Sequence, residues 1–163
     1  MTTFVTKFFA LGLLIFLFGC SNSIIKVPID LHQAGSVVEV NFEIPQNDRV
    51  ALHLWFFVNE QLNDRDHLLD FLGYAVKPEK AVSIPLNVKL IKITDSEKSV
   101  ILDKTYITTG VALIRLEQLS RLVDNLTIEK GDYRIRLETL KAFPQLTNTK
   151  TQFELYYIRA PIL

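Results

Sequence analysis

Val37-Val38-Glu39-Val40-Asn41-Phe42-Glu43-Ile44 alternates apolar and polar side chains without a break. Val38, Val40, Phe42 and Ile44 fall on one face, and Glu39, Asn41 and Glu43 on the other. A period of two is that of a strand with one side on a core and the other in water. The same period recurs on both sides of this stretch. In 49–58, Val50, Leu52, Leu54, Phe56 and Val58 share a face. In 84–90, Ile84, Leu86, Val88 and Leu90 lie opposite Asn87 and Lys89. Tyr133, Ile135 and Leu137 alternate with Arg134 and Arg136, and Phe153, Leu155 and Tyr157 with Glu154 and Tyr156. Residues 25–31 and 99–108 complete a set of about seven strands. Pro28 and Pro85 fall inside two of them, and proline cannot donate to a ladder, so edges or bulges are expected there.

One segment carries a helical period instead. In 60–72, Leu62, Leu69 and Leu72, with Leu68 and Phe71 beside them, oppose Asp64, Arg65, Asp66 and Asp70, and Gly73 follows as a stop. A second helical turn is expected over 115–124. The sum is an all-β fold, an antiparallel immunoglobulin-like β-sandwich of about seven strands with one short inserted helix. Gly131-Asp132-Tyr133 adds a local signature: a tight turn, then a Tyr at a strand start, spaced for a tyrosine corner. A plain hairpin with a core Tyr is the other reading.

The chain has 163 residues and a single cysteine. Its first nineteen residues read as a lipoprotein signal peptide: Lys7 precedes the apolar run Phe8–Phe18, which is shorter than the roughly 20 residues a spanning helix needs. Leu17-Phe18-Gly19-Cys20 then resembles the lipobox of bacterial lipoproteins, although Phe18 stands where a small residue is usual. The resemblance implies a diacylglyceryl group on Cys20, cleavage before it and acylation of the freed amine. Two or three acyl chains hold a protein to a membrane for long times, where one would not. Ser21 after the cysteine favours the outer membrane over the inner, by resemblance to sorted lipoproteins. An ordinary cleaved signal is the competing reading. Residues 20–24 form a short tether and 25–163 the β-sandwich domain.

Several function classes find no support in the composition. After the leader, 17 basic residues face 18 acidic ones, so no basic face for nucleic acid and no electrostatic grip on anionic lipid is expected. His32, His53 and His67 lie in three different elements without metal-ligand spacing, so no metal is expected. His67 with Asp64, Asp66 and Asp70 could gather an ion, but a solvated helix face explains them better. Glu39 and Glu43 could form an acid–base pair; alternating surface charge is simpler. No nucleophile elbow, Ser-x-x-Lys or phosphate loop occurs, so neither a cofactor nor catalysis is expected.

The candidate partner surface is the second face of 49–58, with Arg49, His53, Trp55 and Phe57, since Trp and Arg dominate interface energies. Three arrangements are open. The face points to water, or the helix 60–72 covers it through Leu68 or Phe71, or Trp55 is the core aromatic and Phe56 faces out.

The order of these pieces resembles a family of small proteobacterial lipoproteins whose domain has no known function. The resemblance runs from the lipobox through the early Pro28-Ile29-Asp30-Leu31 strand, the Trp/Phe-rich strand with a charged helix after it, Ile84-Pro85-Leu86, Gly131-Asp132-Tyr133-Arg134 and Leu140–Pro144 to the Phe-rich last strand. It covers most of 27–158 and implies a β-sandwich without supplying catalytic residues. The expected role is a non-enzymatic periplasmic protein-binding module, most concretely an immunity protein against a secreted antibacterial toxin. Alternatives are an accessory subunit of an envelope or secretion machine, and a small-molecule or lipid carrier.

Overall fold

The computed structural model describes residues 23–58, 65–73 and 81–158. Nine strands lie in them: β1 (Ser23–Pro28), β2 (Val37–Ile44), β3 (Asp48–Phe57), β4 (Ile84–Ile93), β5 (Lys98–Thr108), β6 (Leu113–Arg115), β7 (Gln118–Ile128), β8 (Gly131–Thr139) and β9 (Lys150–Tyr157). One helix, α1 (Arg65–Leu72), stands between β3 and β4, and a 3₁₀ turn covers Pro144–Leu146. The strands form a five-stranded sheet in the order β1-β9-β3-β7-β6 and a four-stranded sheet in the order β2-β8-β4-β5. Every pairing is antiparallel. The chain is an all-β sandwich, as the alternation predicts.

The core is built from the faces that the period of two selects. Val50, Leu52, Leu54 and Phe56 from one sheet meet Leu86, Val88, Leu90, Ile135 and Leu137 from the other. Each such side chain, fully removed from water, stabilises the fold by about 2 kcal/mol. Phe56 is therefore a core residue, and the arrangement in which it faced outward is corrected. The outer side of the four-stranded sheet is a lattice of paired charge: Arg134–Glu39 at 3.1 Å, Arg136–Glu138 at 2.7 Å and Lys89–Asp103 at 2.8 Å. Glu39 is thus matched to a guanidinium across the ladder.

The helical turn expected over 115–124 is a second correction. Gln118–Ile128 is a strand, preceded by the tight turn that joins it to β6. Its alternation is hidden by a bulge: Leu52 pairs with Asp124 but the next residue, His53, pairs with Leu122, so Val123 is extra. Before the bulge Leu119 and Arg121 pair with core residues of β3, and after it Asp124 and Leu126 do so. A sequence whose inward positions change parity midway does not read as a strand.

Both prolines sit where a donor is dispensable. Pro28 ends the edge strand β1, and Pro85 precedes the point where β4 starts to pair with β8, at Leu86. The tyrosine corner forms: Tyr133 Oη donates to the carbonyl of Glu129 at 2.9 Å, four residues upstream, and Phe42 stacks on its ring at 5.7 Å. Gly131 makes the turn with a positive φ of 149°.

Helix α1 is shorter than the expected 60–72, whose first residues lie outside the described ones. It buries Leu68, Leu69 and Leu72 into the main core and closes one end of the sandwich. Phe71 meets Phe143 edge-on at 6.3 Å, ahead of the 3₁₀ turn. Gly73 stops the helix with φ 71°, its N–H donating to the Leu69 carbonyl at 2.7 Å.

Candidate functional site

The outward face of the five-stranded sheet differs from the charged lattice opposite. Strand β3 is central, and its outward residues include all four singled out in the sequence: Arg49, His53, Trp55 and Phe57. Arg49 is exposed near one end, Phe57 half-buried at the other. His53 and Trp55 between them are 6% and 2% exposed, although they point away from the sandwich interior. Leu68 packs in the main core and Phe71 meets Phe143, so neither is the cover expected for these rings. Among the described residues, Ser120 and Tyr156 hold His53 and Arg115 lies over Trp55.

His53 is held by two hydroxyls. Its Nδ1 lies 2.9 Å from Ser120 Oγ on β7, and its Nε2 lies 3.0 Å from Tyr156 Oη on β9. In the neutral ring one nitrogen donates and the other accepts, so both bonds are made without a charge. Burial pushes the imidazole below its ordinary value of 6.5; Glu154 opposes this and Arg115 adds to it. Burial likewise raises the Tyr156 hydroxyl. A Ser beside a His could suggest an activated nucleophile. However, Ser120 is fully buried, so no substrate reaches its oxygen, and the trio ties β7, β3 and β9 together.

Further along the same face, two cations lie over aromatic rings. The Arg115 guanidinium sits 4.7 Å from the centroid of Trp55, and Lys150 Nζ 5.0 Å from that of Phe57. Such contacts contribute about 0.5–1 kcal/mol at exposed sites and leave the cation free to meet a carboxylate. Pairing places them together: Phe57 is opposite Lys150 on one side and Gln118 on the other, and Gln118 is opposite Arg115. Leu113 and Leu122 on this face and Leu116 in the β6–β7 turn are exposed, Leu116 by 77%. The result is a corner where aromatic rings, cations and bare leucines adjoin. Sequence reasoning found the rings but missed Arg115 and Lys150, which come from strands far apart in the chain and carry no local signal.

Arg121 was also missed. It is wholly buried on the inner face of β7, and among the described residues its partners are all carbonyls. Its Nη1 donates to Val82 at 2.7 Å and to Thr108 at 3.0 Å, and its Nη2 to Leu72. Burial lowers its pKa to about 10, which leaves it cationic at neutral pH. Nearby, Tyr106 Oη donates to Asp124 at 2.5 Å, and burial together with that carboxylate raises the phenol well above its usual range.

Among the described residues no group of three or more His, Cys, Asp or Glu is placed to hold a metal ion, and no helix is long and apolar enough to cross a membrane. Cys20 lies outside the described residues.

No curated protein sequence matches the chain. A solved structure of a protein from Sulfurospirillum deleyianum superposes with a TM-score of 0.73 at 24% identity, covering 83% of this chain and 98% of that one. That likeness concerns the fold alone. A family GH115 4-O-methyl-α-glucuronidase with specificity for decorated arabinogalactans aligns at a TM-score of 0.36 and 14% identity, over 85% of this chain and 17% of that one; it carries no argument. A family model described as a domain of unknown function, DUF5625, matches residues 26–157, and the chain belongs to that family.

Proposed function

We propose that this protein is a lipoprotein, acylated at Cys20 and facing the periplasm from the outer membrane, whose sandwich binds a protein partner without catalysis. The observation that supports this most is the corner at the Phe57 end of the five-stranded sheet. There Arg115 over Trp55 and Lys150 over Phe57 stand beside exposed Leu113 and Leu116. Trp55 is buried and supports Arg115 from beneath, while Arg115, the half-buried Phe57 and the leucines are open to a partner, a composition found in interface cores. The partner it suits presents carboxylates around an apolar centre.

In its most concrete form the partner is a secreted antibacterial toxin and the chain is its immunity protein. The test is titration of the purified domain against the secreted proteins encoded beside its gene. Nanomolar binding, weakened at least tenfold by Arg115→Glu combined with Lys150→Glu, is the expected result. Failure to bind any of them would remove the toxin reading, and equal binding by the double variant would remove the corner. Membrane attachment is tested separately, by fractionation of Cys20→Ala, which is expected to leave the membrane pellet.

A further inference from the structure

The first described residue, Ser23, begins β1 three positions after Cys20. Three Cα–Cα steps span at most about 11 Å when fully stretched. Ser23 is opposite Tyr156 on β9, and Tyr156 is opposite Ala51 on β3, so the chain enters the sandwich near the Asp48 end of β3. That end carries the β2–β3 turn at 45–47. β1 is also an outermost strand, with β6 the opposite edge of the same sheet.

These placements put the anchor and the cation–aromatic corner at opposite ends of a diagonal. From β1 to β6 the sheet is crossed by four strand spacings, about 19 Å. From the level of Ala51 to that of Phe57 the strand advances six residues, about 20 Å. The separation, near 28 Å by those two spacings, exceeds twice the reach of the tether. It holds whether the sandwich stands on its Asp48 end or lies on its β1 edge, because the corner is remote in both directions.

We propose that the anchored domain rests its β1 edge and the 45–47 turn against lipid headgroups and holds the β6–β7 corner out in water. The proposal rests on the acylation of Cys20 and adds to it which side of the domain the bilayer occupies. The mature chain is almost neutral, so tether length rather than charge sets the posture.

The test uses the full, lipid-modified protein reconstituted into phosphatidylethanolamine–phosphatidylglycerol vesicles that contain a nitroxide-headgroup lipid. Because acylation consumes the native thiol, Gln46→Cys and Glu117→Cys, both at exposed turn positions, each supply the only labelling site for a fluorophore. Flotation is read first, then quenching. Both variants are expected to float, with the probe at 46 quenched at least twofold and the probe at 117 unchanged. Equal quenching at both positions, or stronger quenching at 117, would overturn the orientation while leaving the anchor intact. Failure of both to float would instead overturn the acylation on which the orientation depends.

Discussion

The guanidinium of Arg121, buried on the inner face of β7, donates to the carbonyl oxygen of Leu72, the last residue of helix α1. The last carbonyls of a helix have no partner within it and carry the negative end of its dipole, so a buried cation there satisfies both. The same side chain holds Val82, ahead of β4, and Thr108, at the end of β5. One residue thus joins the helix to both sheets.

Arg121→Met keeps much of the length but leaves three buried carbonyls without a donor. At about 1 kcal/mol for each, the loss comes to about 3 kcal/mol. Urea denaturation is expected to show it as a lowered midpoint, and hydrogen exchange as earlier opening of α1 than of the strands. An Arg121→Met variant with the parent's midpoint would show that the carbonyls find other donors.

Gly73 is constrained twice. Its φ of 71° suits glycine, and a Cβ built on it would lie 2.6 Å from the Cβ of Ala81. Gly73→Ala is expected to cost about 2 kcal/mol from conformation and crowding together. Circular dichroism melts of the two proteins provide the comparison; an unchanged Tm would mean that the loop bearing Ala81 yields freely.

Tyr133→Phe removes only the hydroxyl that reaches the Glu129 carbonyl. The ring still stacks on Phe42, so the loss is confined to one hydrogen bond, about 1 kcal/mol. A loss above about 3 kcal/mol would implicate more than this bond.

His53 makes stability depend on pH. Its folded value lies below the ordinary 6.5, so the unfolded chain binds the proton more readily. The neutral ring's contribution is complete above about 6.5 and declines as pH falls through 6.5 toward the folded value. His53→Gln, which cannot titrate, is expected to lose less stability than the parent between pH 7 and 5. Parallel curves for the two proteins would remove His53 as the source.

The sandwich was legible where one face of a strand is dry and the other wet. Val38 to Ile44 and Tyr133 to Leu137 display that division residue by residue, and the Gly131–Tyr133 spacing admitted a tyrosine corner beside a plain hairpin, which the Tyr133–Glu129 bond decides. The failure over 115–124 has a physical cause. Arg121 is a charged residue whose core position is made tolerable by three distant carbonyls, so its polarity reported the wrong side. The outward face of β3 was legible only in part. Alternation put His53, Trp55 and Phe57 together, but whether water reaches them depends on Ser120, Tyr156, Arg115 and Lys150, which are supplied by other strands.

The extra residue at Val123 works as a phase shift within β7. It lets a single strand send Arg121 and Asp124, an odd and an even position, to the same side. Deleting Val123 would return β7 to strict alternation, with Arg121, Asp124, Leu126 and Ile128 still on the sides they now occupy. A one-residue deletion in β8, whose pairing with β2 and β4 runs without a break, has no such slack. Half of that strand would turn its core face outward.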